Sequence, residues 1–189
     1  MILSDTQLGQ FVLDNGVQGD VGVLHPTPPY VPHIGPASID LTLHEKVQFI
    51  KPNPVAQYQR RPMPQYKTVK LVDSSEDDRL AYLEPGEFCL ASTYEKIDLS
   101  NEYAGFIVGR SSWGRLGLQV ENAGFIDPGF MGRVTLELIN FAPYPIPLIP
   151  NTRICQLVLF SLNKPAVQGY IGKYQGQMAA TVSRINEEL

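Results

Sequence analysis

Residues 109–118 read Gly-Arg-Ser-Ser-Trp-Gly-Arg-Leu-Gly-Leu, and they are the most informative stretch of this chain. The ten residues contain two arginines, two serines and three glycines. Guanidinium groups match the geometry of phosphate oxygens, and serine hydroxyls and backbone N–H groups fill the remaining acceptor sites. The segment therefore predicts an anionic ligand, and a polyphosphate fits it best.

A tight turn is predicted shortly downstream. Residues 123–132 read Ala-Gly-Phe-Ile-Asp-Pro-Gly-Phe-Met-Gly, in which proline and glycine follow Asp127. Proline at the first central position and glycine at the second are typical of a tight turn. Such a turn can hold Asp127 rigidly against a sugar hydroxyl. Phe130, which comes next, either packs on the sugar or fills the core.

The strand that follows carries a candidate catalytic carboxylate. In residues 134–139 the strand period assigns Thr135 and Glu137 to one face, and Val134, Leu136 and Leu138 to the other. A carboxylate among β-branched and apolar neighbours is partly shielded from water, which suits it to general acid–base work. An ordinary solvent-facing glutamate on an antiparallel strand is equally compatible with this segment alone.

Length and composition indicate a single folded domain. The 189 residues are 43% hydrophobic and 18% charged, which permits a core and is too polar for a membrane protein. The net charge of −4 argues against a general nucleic-acid binder, although a few arginines in a cleft can still bind a nucleotide. We expect one domain over residues 1–189, in which residues from about 165 to 189 form a C-terminal tail.

A cytoplasmic location is expected from the N-terminus and the cysteines. The first residues show neither a basic region nor a long apolar stretch, so no signal peptide is predicted. Cys89 and Cys155 both lie in apolar runs and are expected to be buried thiols.

The local patterns predict a β-rich fold with one helix at the start. Ser4 and Gln7 form a capping box, after which Leu8, Phe11 and Val12 share a helical face that ends near Gly16. Alternation in residues 37–43 predicts a half-buried strand, and residues 52–67 look like a surface loop. Seven more β-like runs suggest a sandwich or barrel: residues 68–72, 80–83, 88–91, 105–109, 117–121, 133–140 and 153–160.

The polar tail has two interpretations. Residues 170–177 read Tyr-Ile-Gly-Lys-Tyr-Gln-Gly-Gln. They form either a frayed terminus or a flap whose side chains close over a ligand.

No zinc site is visible in the sequence. Zinc-dependent nucleobase deaminases need a Pro-Cys-x-x-Cys pair and a nearby His or Cys with Glu, whereas His44-Glu45 has the wrong spacing and both cysteines stand alone. A hydrolytic step would therefore use a side-chain base. There is also no Walker A loop and no Gly-x-Gly-x-x-Gly opening a helix, so a polyphosphate would not bind to a P-loop or a Rossmann crevice.

Taken together, these segments resemble the dCTP deaminase family of the dUTPase superfamily. The tail residues 172–177 are deaminase-like and lack the glycine-rich phosphate motif with a stacking phenylalanine that trimeric dUTPases share. The match covers most of the chain in the family's order: residues 36–41, 109–118, 123–132, Glu137, 172–177, Thr181 and Ser183-Arg184.

The resemblance implies a distorted β-barrel with a short N-terminal helix that assembles as a homotrimer with active sites between subunits. It also implies zinc-independent deamination of dCTP, Mg²⁺ carried by the triphosphate and water, and inhibition by dTTP. Glu137 would be the general base, assisted by Arg115 and Ser111. The implied substrate contacts are Arg110, Ser111 and Ser112 for phosphates; Asp127 and Phe130 for the sugar; Thr135, Leu136 and Glu137 for the base; and Gln156, Tyr170, Lys173 and Gln177 for the triphosphate or lid.

The family has two branches, and one local feature favours the second. Monofunctional members release dUTP and carry His-Arg before Ile-Asp, whereas bifunctional members continue to dUMP and pyrophosphate. Here Gly124-Phe125 precedes Ile126-Asp127, and the segment from Arg110 to Asp127 is short, which resembles the bifunctional branch. On that interpretation Asp127, together with Asp40, would position the water that attacks the α-phosphate, and Asp40 is also a candidate near the metal.

Four alternatives remain at this point. A monofunctional deaminase is the first, and a dUTPase, in which Glu137 would have no obvious role, is the second. A nucleotide-binding regulatory protein on the same scaffold is the third, because a fold does not fix an activity. A generic β-sandwich binding module is the fourth.

Overall fold

The fold is mostly β. The computed structural model describes residues 1–16, 33–51, 64–72, 80–120 and 124–187. Its elements in chain order are α1 (Asp5–Gly16), β1 (His33–Ile34), β2 (Ile39–Thr42), β3 (Lys46–Ile50), β4 (Tyr66–Lys70), β5 (Ala81–Leu83), β6 (Phe88–Asp98), β7 (Tyr103–Gly109), α2 (Ser111–Arg115), β8 (Leu118–Val120), β9 (Phe125–Ile126), β10 (Met131–Asn140), β11 (Ile146–Leu148), β12 (Arg153–Ser161) and a 3₁₀ helix (Ile185–Glu187).

The described strands form two five-stranded antiparallel sheets and a two-stranded pair. The first sheet has the order β1-β2-β12-β7-β9 and the second has β4-β3-β6-β10-β8, while β11 pairs with β5. Leu43 and Thr93 form an isolated bridge between the first two sheets. The all-β prediction with a short N-terminal helix is confirmed, but among the described residues the sheets do not close into one continuous barrel.

Helix α1 begins with the predicted capping interaction, in which the Gln7 side chain reaches back to Ser4. The Ser4 amide donates to Gln7 Oε1 at 3.1 Å, and Leu8 and Phe11 are buried against the core. The helix ends at Gly16, as predicted. The Leu3 amide donates to the Leu159 carbonyl at 3.0 Å, so the chain entering α1 is fixed to β12. None of the described helices has the length and apolar character of a membrane-spanning segment.

All seven predicted β-like runs contain a strand, with different bounds. The predicted run 88–91 extends to Asp98 in β6, because β10 pairs with this strand from Phe88 to Asp98. Four strands were missed: β1, β3, β9 and β11. The predicted loop 52–67 overlaps β4 at its last two residues, and its first twelve residues lie outside the described part of the chain.

Strand β2 is buried on both faces, so the predicted half-buried alternation is wrong. Asp40 and Thr42 are as inaccessible as Ile39 and Leu41. The polar pair tolerates burial because it is hydrogen-bonded. The Thr42 amide and hydroxyl donate to the buried Glu95 carboxylate at 2.8 and 2.7 Å.

Strand β10 follows the predicted two-residue period. Val134, Leu136 and Leu138 are buried, whereas Thr135 and Glu137 are half-buried on the opposite face. The pairing with β6 shifts between Arg133 and Thr135, which is a β-bulge or irregularity at this point. After this irregularity, the register with β6 is continuous from Thr135 to Ile139, and it fixes which side chains of β10 point outward.

Both cysteines are buried, as predicted. Burial, with a smaller contribution from the Glu87 charge, raises the pKa of Cys89 to about 12. The thiol therefore stays protonated far above its ordinary range, and the thiolate is the reactive form.

Native protein should consequently give almost no reaction with a water-soluble thiol reagent at mildly alkaline pH. The same protein unfolded in guanidinium chloride should release both thiols, which an absorbance titration counts. Fast labelling of Cys89 in native protein would contradict this description of the core.

Candidate active site

A cavity of about 470 Å³ lies against the second sheet. Sheet strands supply part of the wall, the turn after β9 another part, and the C-terminal tail the remainder. The lining comprises Tyr66, Phe88, Leu90, Val134, Thr135 and Glu137 from the sheet; Phe125, Ile126, Asp127 and Phe130 from β9 and its turn; and Tyr170, Tyr174, Gln177, Thr181 and Ser183 from the tail.

Glu137 is placed in this cavity by the register of β10. It lies directly opposite Leu90 of β6, and the Glu137 side chain is half-buried. Within the described residues no hydrogen-bond donor or cation contacts its carboxylate. A shielded carboxylate with free oxygens in a mostly apolar cavity can accept a proton from water.

Asp127 belongs to the predicted turn. The Phe130 amide donates to the Asp127 carbonyl at 3.2 Å, and Gly129 adopts φ of 79°, which an L side chain rarely adopts. A Cβ atom at Gly129 would also lie 2.6 Å from Gly169 Cα, so the tail packs directly on this turn. The exposed Asp127 side chain lines the cavity.

Phe130 combines the two alternatives that its sequence left open. The side chain is buried in the core cluster and also lines the cavity. Its ring centroid lies 5.9 Å from that of Tyr170, so the turn and the tail share an aromatic contact.

The tail is packed rather than frayed. The Tyr170 amide donates to the Pro128 carbonyl at 2.7 Å, and the Gly176 amide donates to the Met131 carbonyl at 2.8 Å. The Arg133 amide of β10 donates in turn to the Gln177 carbonyl at 2.8 Å. These bonds hold residues 170–177 along the start of β10, where they cover one side of the cavity.

Of two tail residues predicted to contact the substrate, one lines the cavity and the other does not. Gln177 lines the cavity: its Nε2 donates to the Arg133 carbonyl at 2.8 Å, and its Oε1 is buried with no hydrogen-bond partner in the described part of the chain. Lys173 does not line the cavity. Its Nζ donates to the Arg184 carbonyl at 3.2 Å and lies 5.7 Å from the centre of the Tyr174 ring.

The arginine- and serine-rich segment forms a second polar site. After β7, Arg110 leads into the one-and-a-half-turn helix α2, on which Ser111, Ser112 and Arg115 are exposed. A cavity of about 460 Å³ lies beside them, lined by Arg110, Ser112, Trp113, Leu116, Asn151, Thr152 and Arg153.

The carboxylate of Asp40 organises this second site. It is only 4% exposed, and Arg153 Nη1 donates to its Oδ2 at 3.1 Å. Arg110 Nη2 lies 3.6 Å from the same oxygen, and Gln156 Nε2 donates to Oδ1 at 3.0 Å. Because one carboxylate faces two guanidinium groups, the site keeps positive charge for an anion.

The predicted site residues therefore fall into two groups within one chain. Glu137, Asp127, Phe130, Thr135, Tyr170 and Gln177 line the first cavity, whereas Arg110 and Ser112 line the second. Ser111 and Arg115 lie on α2 and Gln156 lies on β12, so these three accompany the second group. An exposed apolar strip connects the two groups. Phe125 on β9 lines the first cavity and pairs with Phe106 on β7, and Val108 on β7 comes shortly before Arg110. Phe106, Val108 and Phe125 are 44%, 45% and 57% exposed.

Two assignments need correction. Leu136 was expected to line a base pocket, but its side chain is fully buried on the core face of β10, because alternate strand residues point to opposite faces. Asp40 was expected near a metal, but its oxygens are engaged by Arg153, Gln156 and neighbouring cations, and His33 Nδ1 also lies 3.1 Å from Oδ2.

Sequence reasoning missed two polar residues of these sites. Tyr66 lines the first cavity, and burial raises its pKa, so its hydroxyl stays protonated above the usual tyrosine range. It lay in the segment assigned to a loop. Arg153 begins β12 beside Arg110, and no local pattern marks it, since its partner Asp40 is 113 residues away. Among the described residues, no group of three or more His, Cys, Asp or Glu is arranged to hold a metal ion.

Comparison with known proteins agrees with this geometry. The profile of a family described as dCTP deaminase-like matches residues 2–162. The chain is 42% identical over 152 residues to a protein of Persephonella marina named "dCTP deaminase, dUMP-forming", covering 80% of this chain and 83% of that one. Proteins with the same name from Tropheryma whipplei and Aquifex aeolicus are 40% and 38% identical, covering 97% and 100% of this chain and 92% and 98% of theirs.

One solved structure also shares the fold. The 2'-deoxycytidine 5'-triphosphate deaminase of Agrobacterium tumefaciens superposes with a TM-score of 0.62 at 20% sequence identity. The alignment covers 84% of this chain and 47% of that chain, so this chain spans about half of that protein's length. Family profile, relatives and fold agree, and the chain belongs to the dCTP deaminase family.

Replacing Asp40 by asparagine should destabilise the protein. The substitution removes the anion shared by two guanidinium groups and leaves an amide donor facing them, which we expect to cost about 1–3 kcal/mol of unfolding free energy because the arginines are partly exposed. Urea denaturation measures this loss. Asp98→Asn is the control, since the half-buried Asp98 has no ion pair in the described part of the chain, and equal losses in both variants would contradict the assigned role.

Proposed function

We propose that this protein deaminates dCTP and hydrolyses the resulting dUTP to dUMP and pyrophosphate. The relatives named "dCTP deaminase, dUMP-forming" support both steps, at 35% to 42% identity over most of the chain. The structural observation that carries the proposal is the half-buried carboxylate of Glu137, which has no partner among the described residues and lies in the cavity beneath the tail.

Glu137 acts as the general base in the first reaction. It takes a proton from water while the water oxygen attacks C4 of cytosine, and it then returns a proton to the amino group. The C4–N bond breaks and ammonia leaves. The water oxygen becomes the C4 carbonyl of uracil, one water proton ends on ammonia and the other on ring nitrogen N3.

The cavity walls suit a pyrimidine nucleoside. Leu90 and Phe88 provide apolar surface beside Glu137, while the Thr135 hydroxyl and Gln177 Oε1 provide polar groups. This combination of apolar walls with few polar groups is typical of small-molecule sites. Asp127 and Phe130, which line the same cavity, would contact the sugar, and Phe130 packing there would disfavour a 2'-hydroxyl.

The second reaction takes place at the α-phosphate. A water oxygen attacks phosphorus and the bond to the β-phosphate oxygen breaks, which gives dUMP and pyrophosphate. The exposed Asp127 carboxylate has no partner among the described residues and is positioned to orient this water. Mg²⁺ bound to the triphosphate would neutralise phosphate charge, with phosphate oxygens and water as its ligands.

We propose that the active unit is a homotrimer of single domains spanning residues 1–189. No lysine or arginine lines the described wall of the cavity around Glu137, although a triphosphate needs cations. Those cations lie in the second site, around Arg110 and Arg153. A second copy docking on Phe106 and Phe125, which join the two regions, would bring its arginines and α2 to the first cavity.

Further parts of the proposal follow from the family. Within the assembled site Arg115 and Ser111 hold the water and the base, Arg110 and Ser112 bind phosphates, and Gln156, Tyr170 and Lys173 act around the triphosphate and lid. Deamination needs no zinc, dTTP inhibits, the enzyme acts in the cytoplasm, and it binds no nucleic acid. Neither a monofunctional deaminase nor a dUTPase agrees as well with the relatives' names.

Glu137→Gln should abolish deamination, with activity reduced at least about 1000-fold, because the amide cannot accept the water proton. The binding of dCTP should change less than about threefold, since size and polarity are kept. Chromatographic separation of dCTP, dUTP and dUMP measures turnover, and calorimetry measures binding. Retained deamination would remove Glu137 from the mechanism.

A mixing experiment tests whether sites are shared between copies. Glu137→Gln and Arg110→Ala should each be inactive alone. Co-refolding the two variants in equal amounts should restore part of the activity, because some sites then combine an intact Glu137 from one copy with an intact Arg110 from another. No recovery in confirmed mixed oligomers would contradict a shared site.

A further inference from the structure

The end of the tail is fixed to the second sheet at two consecutive residues. Gln48 Nε2 on β3 donates to the Ala180 carbonyl at 2.8 Å. The Thr181 amide donates to Thr135 Oγ1 on β10 at 3.1 Å. Ala180 is itself buried, so the segment is pressed against the sheet rather than lying loosely over it.

The two residues that hold the tail, Gln48 on β3 and Thr135 on β10, are its anchors, and they lie on the two strands that flank β6. Gln48 is directly opposite Leu90, and Leu90 is directly opposite Glu137, so the three side chains share one face. Neighbouring strands are about 4.8 Å apart, and β3 and β10 are therefore separated by about 10 Å. Ala180 and Thr181 thus bridge the sheet above Leu90, beside the catalytic carboxylate.

The second anchor also faces the ligand. Thr135 lines the cavity, and its oxygen accepts the Thr181 amide hydrogen. A hydroxyl has one hydrogen to donate, and accepting a bond on its oxygen leaves that hydrogen available elsewhere. A docked tail therefore favours the orientation in which Thr135 donates into the cavity.

We propose that Gln48, which does not line the cavity, is a positioning residue that holds the tail over Glu137 and thereby sets the Thr135 hydroxyl. Its effect on turnover rests on the proposed function, whereas its effect on the tail does not. Gln48 holds Ala180 by its amide donor, and this places Thr181 within reach of Thr135. Loss of the donor frees both anchors, because they hold adjacent residues.

Gln48→Met tests this with a side chain of similar size that lacks the donor. Amide hydrogen exchange in residues 178–183 should become at least about tenfold faster, while exchange in β6 stays unchanged. The KM for dCTP should rise about five- to tenfold with a smaller change in kcat. Gln65→Met is the matched control, since the Gln65 side chain is exposed and makes no hydrogen bond to the described tail residues 170–187.

A double-mutant cycle distinguishes positioning from general destabilisation. Thr181→Pro removes the amide hydrogen that binds the second anchor. If both changes act by releasing the same segment, combining them should add little to the KM of either alone. Additive effects, or unchanged exchange of the tail in Gln48→Met, would overturn the proposal. If Gln48→Met shows the faster exchange of the tail but the wild-type protein does not turn over dCTP, the proposed function is refuted while the positioning of the tail stands.

Discussion

The alternation of side chains along β10 is the constraint on which the rest of the structure depends. Leu136 and Leu138 are fully buried on one face, and losing either side chain would cost about 2–5 kcal/mol. Their burial leaves no freedom to shift the strand, because a slip of one residue would expose both. The same register fixes Thr135 and Glu137 on the other face, so core packing holds the proposed catalytic carboxylate in place.

The two sites of the molecule carry opposite charges. The first cavity offers the carboxylates of Glu137 and Asp127, and the second site collects Arg110 and Arg153 around one buried aspartate. Carboxylates alone cannot bind a triphosphate. Guanidinium groups alone cannot catalyse deamination, because that reaction needs a general base. Each site therefore lacks a group that the reaction needs. This is the strongest physical reason to expect that copies of the chain associate through the apolar strip around Phe106 and Phe125.

The sequence predicted what depends on local patterns. The capping interaction of α1, the turn at Asp127 and the two faces of β10 all follow from residues close together in the chain, and all are present. Contacts between distant segments were not predictable in this way. The burial of Asp40 depends on Arg153, and the short strand β9 exists because Phe125 pairs with Phe106. The prediction that Leu136 lines the base pocket was wrong for its side chain, because a resemblance to a family motif does not say which face of the strand a residue occupies.

The tail shows why local propensity alone is a poor guide to order. Residues 170–187 contain only a single short 3₁₀ helix at their end and no strand, yet backbone and side-chain bonds tie them to β10 and β3. Each such bond contributes only about 1 kcal/mol net, so the segment is held by several weak contacts acting together. A segment stabilised in this way can open at modest cost, and that is what an enzyme needs if substrate must enter beneath it and product must leave.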